Sequence, residues 1–174
     1  MALKGVLDAI ASRRSCGRLV GPGPEEHELV ALLAAAEAAP DHGRLRPWRF
    51  HVLSGRPKDD FGAVLAEAYL RRCADAGTEP VPAALDKERT KLGRAPVVVV
   101  AACVPVPGPV PEIEQVAAVG AAVQNLLLAA TALGYGSMWR TGHVAYDPRV
   151  KAALGLAATD HIMGFVYLGT VPRP

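Results

Sequence analysis

The chain has 174 residues, half of them apolar, with a formal net charge of only +2. That length buries a full core, the apolar content excludes a disordered chain, and the near-neutral charge gives no electrostatic case for nucleic acid as a partner. Cys16, Cys73 and Cys103 are an odd and widely spaced set, which excludes a disulfide framework and a zinc knuckle.

The opening segment carries an internal aspartate and no small-residue cleavage site, so it does not read as a signal peptide, and a cytoplasmic location is expected. Leu3, Val6, Leu7 and Ile10 follow helical spacing. The basic loop "RRSCGRLVGPGP" follows. Pro24 at a first helical position, with Glu25 and Glu26 in the first turn, predicts a second helix, whose face is Leu29, Leu32, Leu33 and Ala36. Pro40 ends it. The loop "DHGRLRPWR" then leads into a strand over 49–53. Pro57, Asp59 and Asp60 begin a third helix with Phe61, Val64, Leu65 and Ala68 on one face, and 77–86 reads as irregular.

The run "PVVVVAAC" at 96–103 lacks alternation and predicts a strand buried on both faces. After a proline-rich loop, Val116 to Leu133 carries no charge over 18 residues, the lower edge of a membrane span. Gln124 and Asn125 at its centre, and the lack of an aromatic belt or basic flank, favour the central helix of a folded core, with no membrane partner. Its small residues Ala117, Gly120 and Ala121 suit close packing, including against a second subunit. Gly134 ends that helix, "YGSMWR" is a short strand, Asp147 and Pro148 start a further helix, and "HIMGFVYLGT" is the last strand. The pattern is one domain over 1–174, in the α/β or α+β class.

Hydrolase and nucleotide signatures are absent: there is no GxSxG elbow, no GxxxxGK[ST] loop, and "GYGSMW" follows a helix instead of a strand. Scattered histidines read as structural or exposed, so no metal site is expected. What remains are three basic loops, 13–18, 41–49 and 139–143. Arginine beside a serine hydroxyl and loop amides is a good phosphate grip, and both tryptophans of the chain stand beside arginine in such loops. A planar ligand carrying a phosphate suits that combination. Trp48, following proline at the start of a strand, reads as core packing.

The segments "RRSCGRL", "AAEAAPDHGRLRPWRFHVL", "RAPVVVVAAC", "ALGYGSMWRTG" and "GFVYLGTVP" resemble, in order and over nearly the whole chain, the flavin-dependent nitroreductase family. They are most similar to its short bacterial NAD(P)H nitroreductases of the YdjA type. The resemblance implies an α+β, three-layer fold with a central mixed sheet of at least four strands. It implies a homodimer with FMN at the subunit interface. It also implies an oxidoreductase in which NAD(P)H reduces FMN, and FMN reduces a small-molecule acceptor such as a nitroaromatic or a quinone. A non-catalytic FMN-binding or storage protein is the alternative.

By the same resemblance, Arg13, Arg14 and Ser15 hold the phosphate and ribityl end of FMN. His42, with Arg44, reaches the flavin of the other subunit, and Trp139, Arg140 and Thr141 run beside the ring. Ala129, Ala130, Thr131, Ala132, Leu133 and Gly134 match a nicotinamide-cofactor stretch, although those residues also read as the last turn of a core helix. No residue is assigned as a catalytic acid, base or nucleophile. Three departures from the family pattern stand out. Arg44 and Arg46 replace an asparagine and a glutamine. Gly17 stands where several members are basic, with Arg18 one place later. The longer tail of many members has no counterpart, and Arg173 is the nearest stand-in for its phosphate contact.

Overall fold

A computed structural model describes residues 5–172. Leu3 and Arg173, both named above, lie outside the described residues. The first helix, α1 (Val6–Ser12), is followed by α2 (Glu26–Glu37). Strand β1 is Trp48–Ser54, and α3 is Gly55–Asp75. Then come α4 (Pro82–Thr90), β2 (Val97–Cys103) and α5 (Glu112–Ala132). Strand β3 (Gly136–Arg140), α6 (Pro148–Ala153) and β4 (His161–Gly169) complete the order.

The four strands lie in the order β1-β2-β4-β3, and every neighbouring pair is antiparallel. The sheet was expected to be mixed; among the described residues its parallel pairing is confined to an isolated bridge between Ser15 and Ser137. Helices cover both faces. Val97, Val99, Ala101 and Cys103 of β2 face a core shared with α2 and α5, while Val98, Val100 and Ala102 face a second core shared with α3 and α6. This two-sided burial is why β2 lacks alternation: all seven of its residues are buried. Three layers result, in the α+β class.

Three boundaries differ from the sequence reading. Pro24, expected as a first helical residue, lies ahead of α2: Glu25 is the N-cap, its amide donating to Glu28 Oε2 at 2.8 Å in a capping box. Helix α3 starts at Gly55, which puts Pro57 in the first turn, where its missing N–H is one of the unpaired donors. The stretch read as irregular contains the start of α4, whose first helical residue is Pro82.

Helix α5 is long and apolar enough to cross a membrane by length and composition. It packs instead on the sheet and α2, burying Ala118, Val119, Ala122, Val123, Leu126, Leu127 and Ala130. The buried Gln115 side chain accepts from the Val106 amide at 2.8 Å and donates to Val106 and Val110 carbonyls, which fixes the proline-rich loop ahead of it.

Candidate functional site

Two adjoining clefts lie against α4 and the turn after it. The larger, about 850 Å³, is lined by Gly17 to Gly21, Lys58, Lys87, Thr90, Lys91 and Gly93 to Pro96. The smaller, about 200 Å³, shares Lys87, Lys91 and Arg94 and runs on to Arg140, Thr141, Gly142 and His143. Together they have the size of a nucleotide-sized ligand site.

The clefts carry more cations than anions: Glu88, in the smaller one, is the one carboxylate in their lining. Lys58 is buried, and its ammonium donates to the carbonyls of Ala95 at 2.6 Å and Pro96 at 3.2 Å. Lys91 is paired with Glu88. Among the described residues Arg18, Lys58, Lys87, Arg94 and Arg140 make no ion pair. Of these only Lys58 is buried, with carbonyls around its ammonium, and the excess of cations over the Glu88 carboxylate favours an anionic ligand such as a phosphate ester.

The strand β3 carries the second group. Arg140 pairs with Phe165 across β3 and β4 and enters the smaller cleft with Thr141. Trp139, one residue earlier, is 37% exposed, and its indole N–H donates to the Met163 carbonyl at 2.9 Å. That carbonyl is available because β4 bulges there: Ala101 faces Gly164 while Ala102 faces Ile162, and Met163 has no partner on β2. Gly164 adjoins the bulge at φ 149°, and a Cβ on it would lie 2.2 Å from the indole nitrogen. The bulge and the glycine together let the indole seat against the strand.

The 13–15 loop comes to the same strand. Ser15 bridges Ser137, and the Cys16 amide donates to the Ser137 carbonyl at 3.0 Å. Arg14 folds back on the end of α1, donating to Ala11 and Arg13 carbonyls, and Arg13 is half-buried. The structure thus sets Ser15 and Cys16 against Ser137 of the edge strand that leads to Arg140 and Thr141, whereas Arg13, Arg14, Ser15 and Trp139 line neither cleft.

His42 and Arg44 are held elsewhere, in a short 3-10 turn ahead of β1. Neither lines the two clefts. The turn has a positive φ at Gly43 (75°), Arg44 (54°) and Arg46 (48°). It is closed by Asp41, whose carboxylate accepts from the Arg46 amide at 2.6 Å. Arg44 and Arg46 are exposed, whereas Trp48 is buried in the α2–α5 core as expected. His42 Nδ1 lies 2.6 Å from Glu114 Oε2 on the first turn of α5.

Ala129, Ala130, Thr131, Ala132, Leu133 and Gly134 form the last turn of α5 and its end. Ala130 is fully buried, and Leu133 packs on the same core. Gly134, at φ 87°, ends the helix, its amide donating to Thr131. This stretch lines neither cleft and begins about 22 Å along α5 from the His42 contact.

The residues that the sequence reading missed are Lys58, Lys87, Lys91 and Arg94. A helix signal existed, Pro82 ahead of "AALDKERT", but it did not reveal that α4 packs against α3 and turns its lysines toward the 17–21 loop.

Residues 10–170 match the family model described as the Nitroreductase family. The protein YdjA of Escherichia coli (strain K12), to which NAD(P)H nitroreductase activity is ascribed, is 38% identical over 166 residues, covering 94% of this chain and 87% of its own. A nitroreductase-like family protein from Bacillus cereus has the same fold, with a TM-score of 0.81 at 23% identity over 99% of this chain and 89% of its own. A nitroreductase with bound FMN from Bacteroides fragilis NCTC 9343 superposes with a TM-score of 0.72 at 23% identity, over 97% of this chain and 89% of its own.

Proposed function

This chain belongs to the nitroreductase family, and from that premise we propose that it is an FMN-dependent oxidoreductase that takes electrons from NAD(P)H and passes them to a small-molecule acceptor. The observation that carries the reading is the double cleft, whose cations Arg18, Lys58, Lys87 and Arg94 have no carboxylate partner among the described residues. FMN fits such a lining, since it carries a phosphate ester and its ring takes on negative charge when reduced. When bound, it supplies the redox chemistry between a nicotinamide and an acceptor.

In this reading the chain's own residues bind and orient. Arg18, Lys58, Lys87 and Arg94 compensate the phosphate in the cleft, and Arg13, Arg14 and Ser15, on the loop that leads to it, are the further phosphate and ribityl contacts that the family resemblance implies. Arg140 and Thr141 lie along the ring, next to the seated indole of Trp139. Guanidinium and ammonium groups near the pyrimidine edge favour the ring when it carries negative charge. No side chain acts as a nucleophile. We take the chain as one FMN-binding domain in the cytoplasm, with Ala129 to Gly134 as the weaker nicotinamide-contact candidate.

The same reading makes the protein a homodimer with an FMN site at each end of the interface. Its support is threefold. His42 and Arg44 stand apart from the clefts of their own chain, as residues that serve the partner's site would. Val6, Leu7 and Ile10 of α1 and Ile113 of α5 leave 73%, 80%, 51% and 72% of their surface exposed. Helix α5 also has a stripe free of charge, Ala117, Gly120, Ala121, Gln124 and Leu128, that its own chain does not fully cover.

Anaerobic mixing decides between enzyme and binder. Purified protein saturated with FMN should lose its flavin absorbance on addition of NADH or NADPH and regain it with a nitroaromatic or a quinone. A flavin that binds but does not bleach with either nucleotide would identify a storage protein, and a protein that takes up no FMN would refute the site.

A further inference from the structure

We infer that Glu114 is the positioning residue for His42: its carboxylate holds the imidazole with the proton on Nδ1 and turns Nε2 outward as an acceptor for a donor group of the partner's flavin. This rests on the proposed reading of His42 as a flavin contact.

The contact crosses two elements 72 residues apart, at 2.6 Å between His42 Nδ1 and Glu114 Oε2. An ionised carboxylate only accepts, so Nδ1 donates. In the neutral ring the other nitrogen is then left with its lone pair. The tautomer of a histidine is set by the hydrogen bond that one of its nitrogens makes, and here one partner makes that choice. An Nε2 acceptor suits a ribityl hydroxyl or a ring N–H; the opposite tautomer would present a donor and suit a carbonyl oxygen. Glu114 thereby selects which groups of the ligand His42 recognises.

The backbone around His42 does not depend on this bond. Gly43, Arg44 and Arg46 hold their positive φ angles within a turn closed by Asp41 and the Arg46 amide. Glu114 therefore orients a side chain on a turn that is already built. The neighbouring residue pair uses the other ring nitrogen. Glu112, on the same helical turn, contacts His161 through Nε2, also at 2.6 Å, so one turn of α5 holds two imidazoles by opposite nitrogens.

The test reads the ring directly. Two-bond ¹H–¹⁵N spectra of the wild type, at a pH where imidazoles are neutral, should show His42 with its proton on Nδ1. Glu114→Ala should shift it toward Nε2, Glu114→Gln should keep it, because the amide oxygen still accepts, and Glu112→Ala should leave it unchanged. FMN titration of the apo-protein should show Glu114→Ala about three- to tenfold weaker. The same substitution should add nothing in a His42→Ala background. A wild-type ring protonated on Nε2, or a Glu114→Ala loss that persists in full without His42, overturns the inference while leaving FMN binding intact. Unchanged FMN affinity in His42→Ala overturns both the inference and the reading of His42 on which it rests.

Discussion

At the scale of single residues, the turn at 41–46 concentrates strain. Arg44 and Arg46 occupy left-handed backbone, which favours glycine and asparagine over long side chains. Each such placement costs on the order of 1 kcal/mol, and strain of this kind is kept where a turn has a binding role. Arg44→Asn should therefore raise the unfolding free energy by a few tenths to about 1 kcal/mol, read as a higher midpoint in urea titration. Under the proposed dimer its FMN affinity should fall, because a guanidinium proposed to reach the partner's flavin is lost. A substitution that neither stabilises the fold nor weakens FMN would show the turn to be unstrained and idle.

Cysteine provides a second residue-scale prediction. Burial pushes the Cys103 thiol up to about 11, with the nearby carboxylates of Glu112 and Asp160 adding to it. A raised folded value means that the native state keeps its proton where the unfolded chain has lost it. The stabilisation is complete below the ordinary thiol value of 9.0 and is lost as pH rises toward about 11. Cys103→Ala should flatten the fall of the melting temperature across that alkaline window. Cys16, half-exposed on the 13–18 loop, should be the single thiol that reacts with a disulfide reagent in the native protein, whereas Cys73 and Cys103 should react only after unfolding.

At the scale of elements, the basic cleft depends on one helix contact. A Cβ on Gly62 of α3 would lie 2.2 Å from the Arg89 carbonyl of α4. Only a glycine lets the two helices approach so closely, and α4 and the turn after it bring Lys87 and Lys91 to the cleft. Gly62→Ala should push α4 away, costing about 1–3 kcal/mol in denaturant titration. It should also weaken FMN binding without touching any residue of the cleft. Equal FMN affinity in a destabilised variant would separate the helix contact from the site. In α5 the buried Leu126 gives a stability control: Leu126→Ala should cost about 2–5 kcal/mol. The effect on FMN should be no more than that loss of folded protein explains.

At the scale of the whole molecule, the exposed apolar face of α1 and the charge-free stripe of α5 set the expectation for assembly. Light scattering should return twice the chain mass at micromolar concentration. Ile10→Glu, on the exposed face of α1, should shift the population toward single chains. FMN affinity should drop with it under the proposed dimer, in which His42 serves the partner's site. A stable single chain that still binds FMN at wild-type strength would remove the interface from the account.

The sequence by itself determined the elements whose cause is local. The β-branched run of β2, the uncharged α5, Gly134 at its end and the Asp147–Pro148 start of α6 all follow from spacing and capping, which act over a few residues. The loops that carry the family motifs were equally legible, because their residue types are distinctive. Two things were decided only by the tertiary structure. The first is the basic cleft. Lys58, Lys87, Lys91 and Arg94 lie on three separate segments, and nothing in their spacing says that α3 and α4 pack at a glycine and aim those cations at the 17–21 loop. The second is the pairing of His42, legible as part of a family motif, with Glu114, which nothing in the chain marks out; the two become a unit because the first turn of α5 lies beside the loop before β1. Local physics decides what an element is. Which charges meet depends on how the layers stack, and the stacking is a property of the whole core.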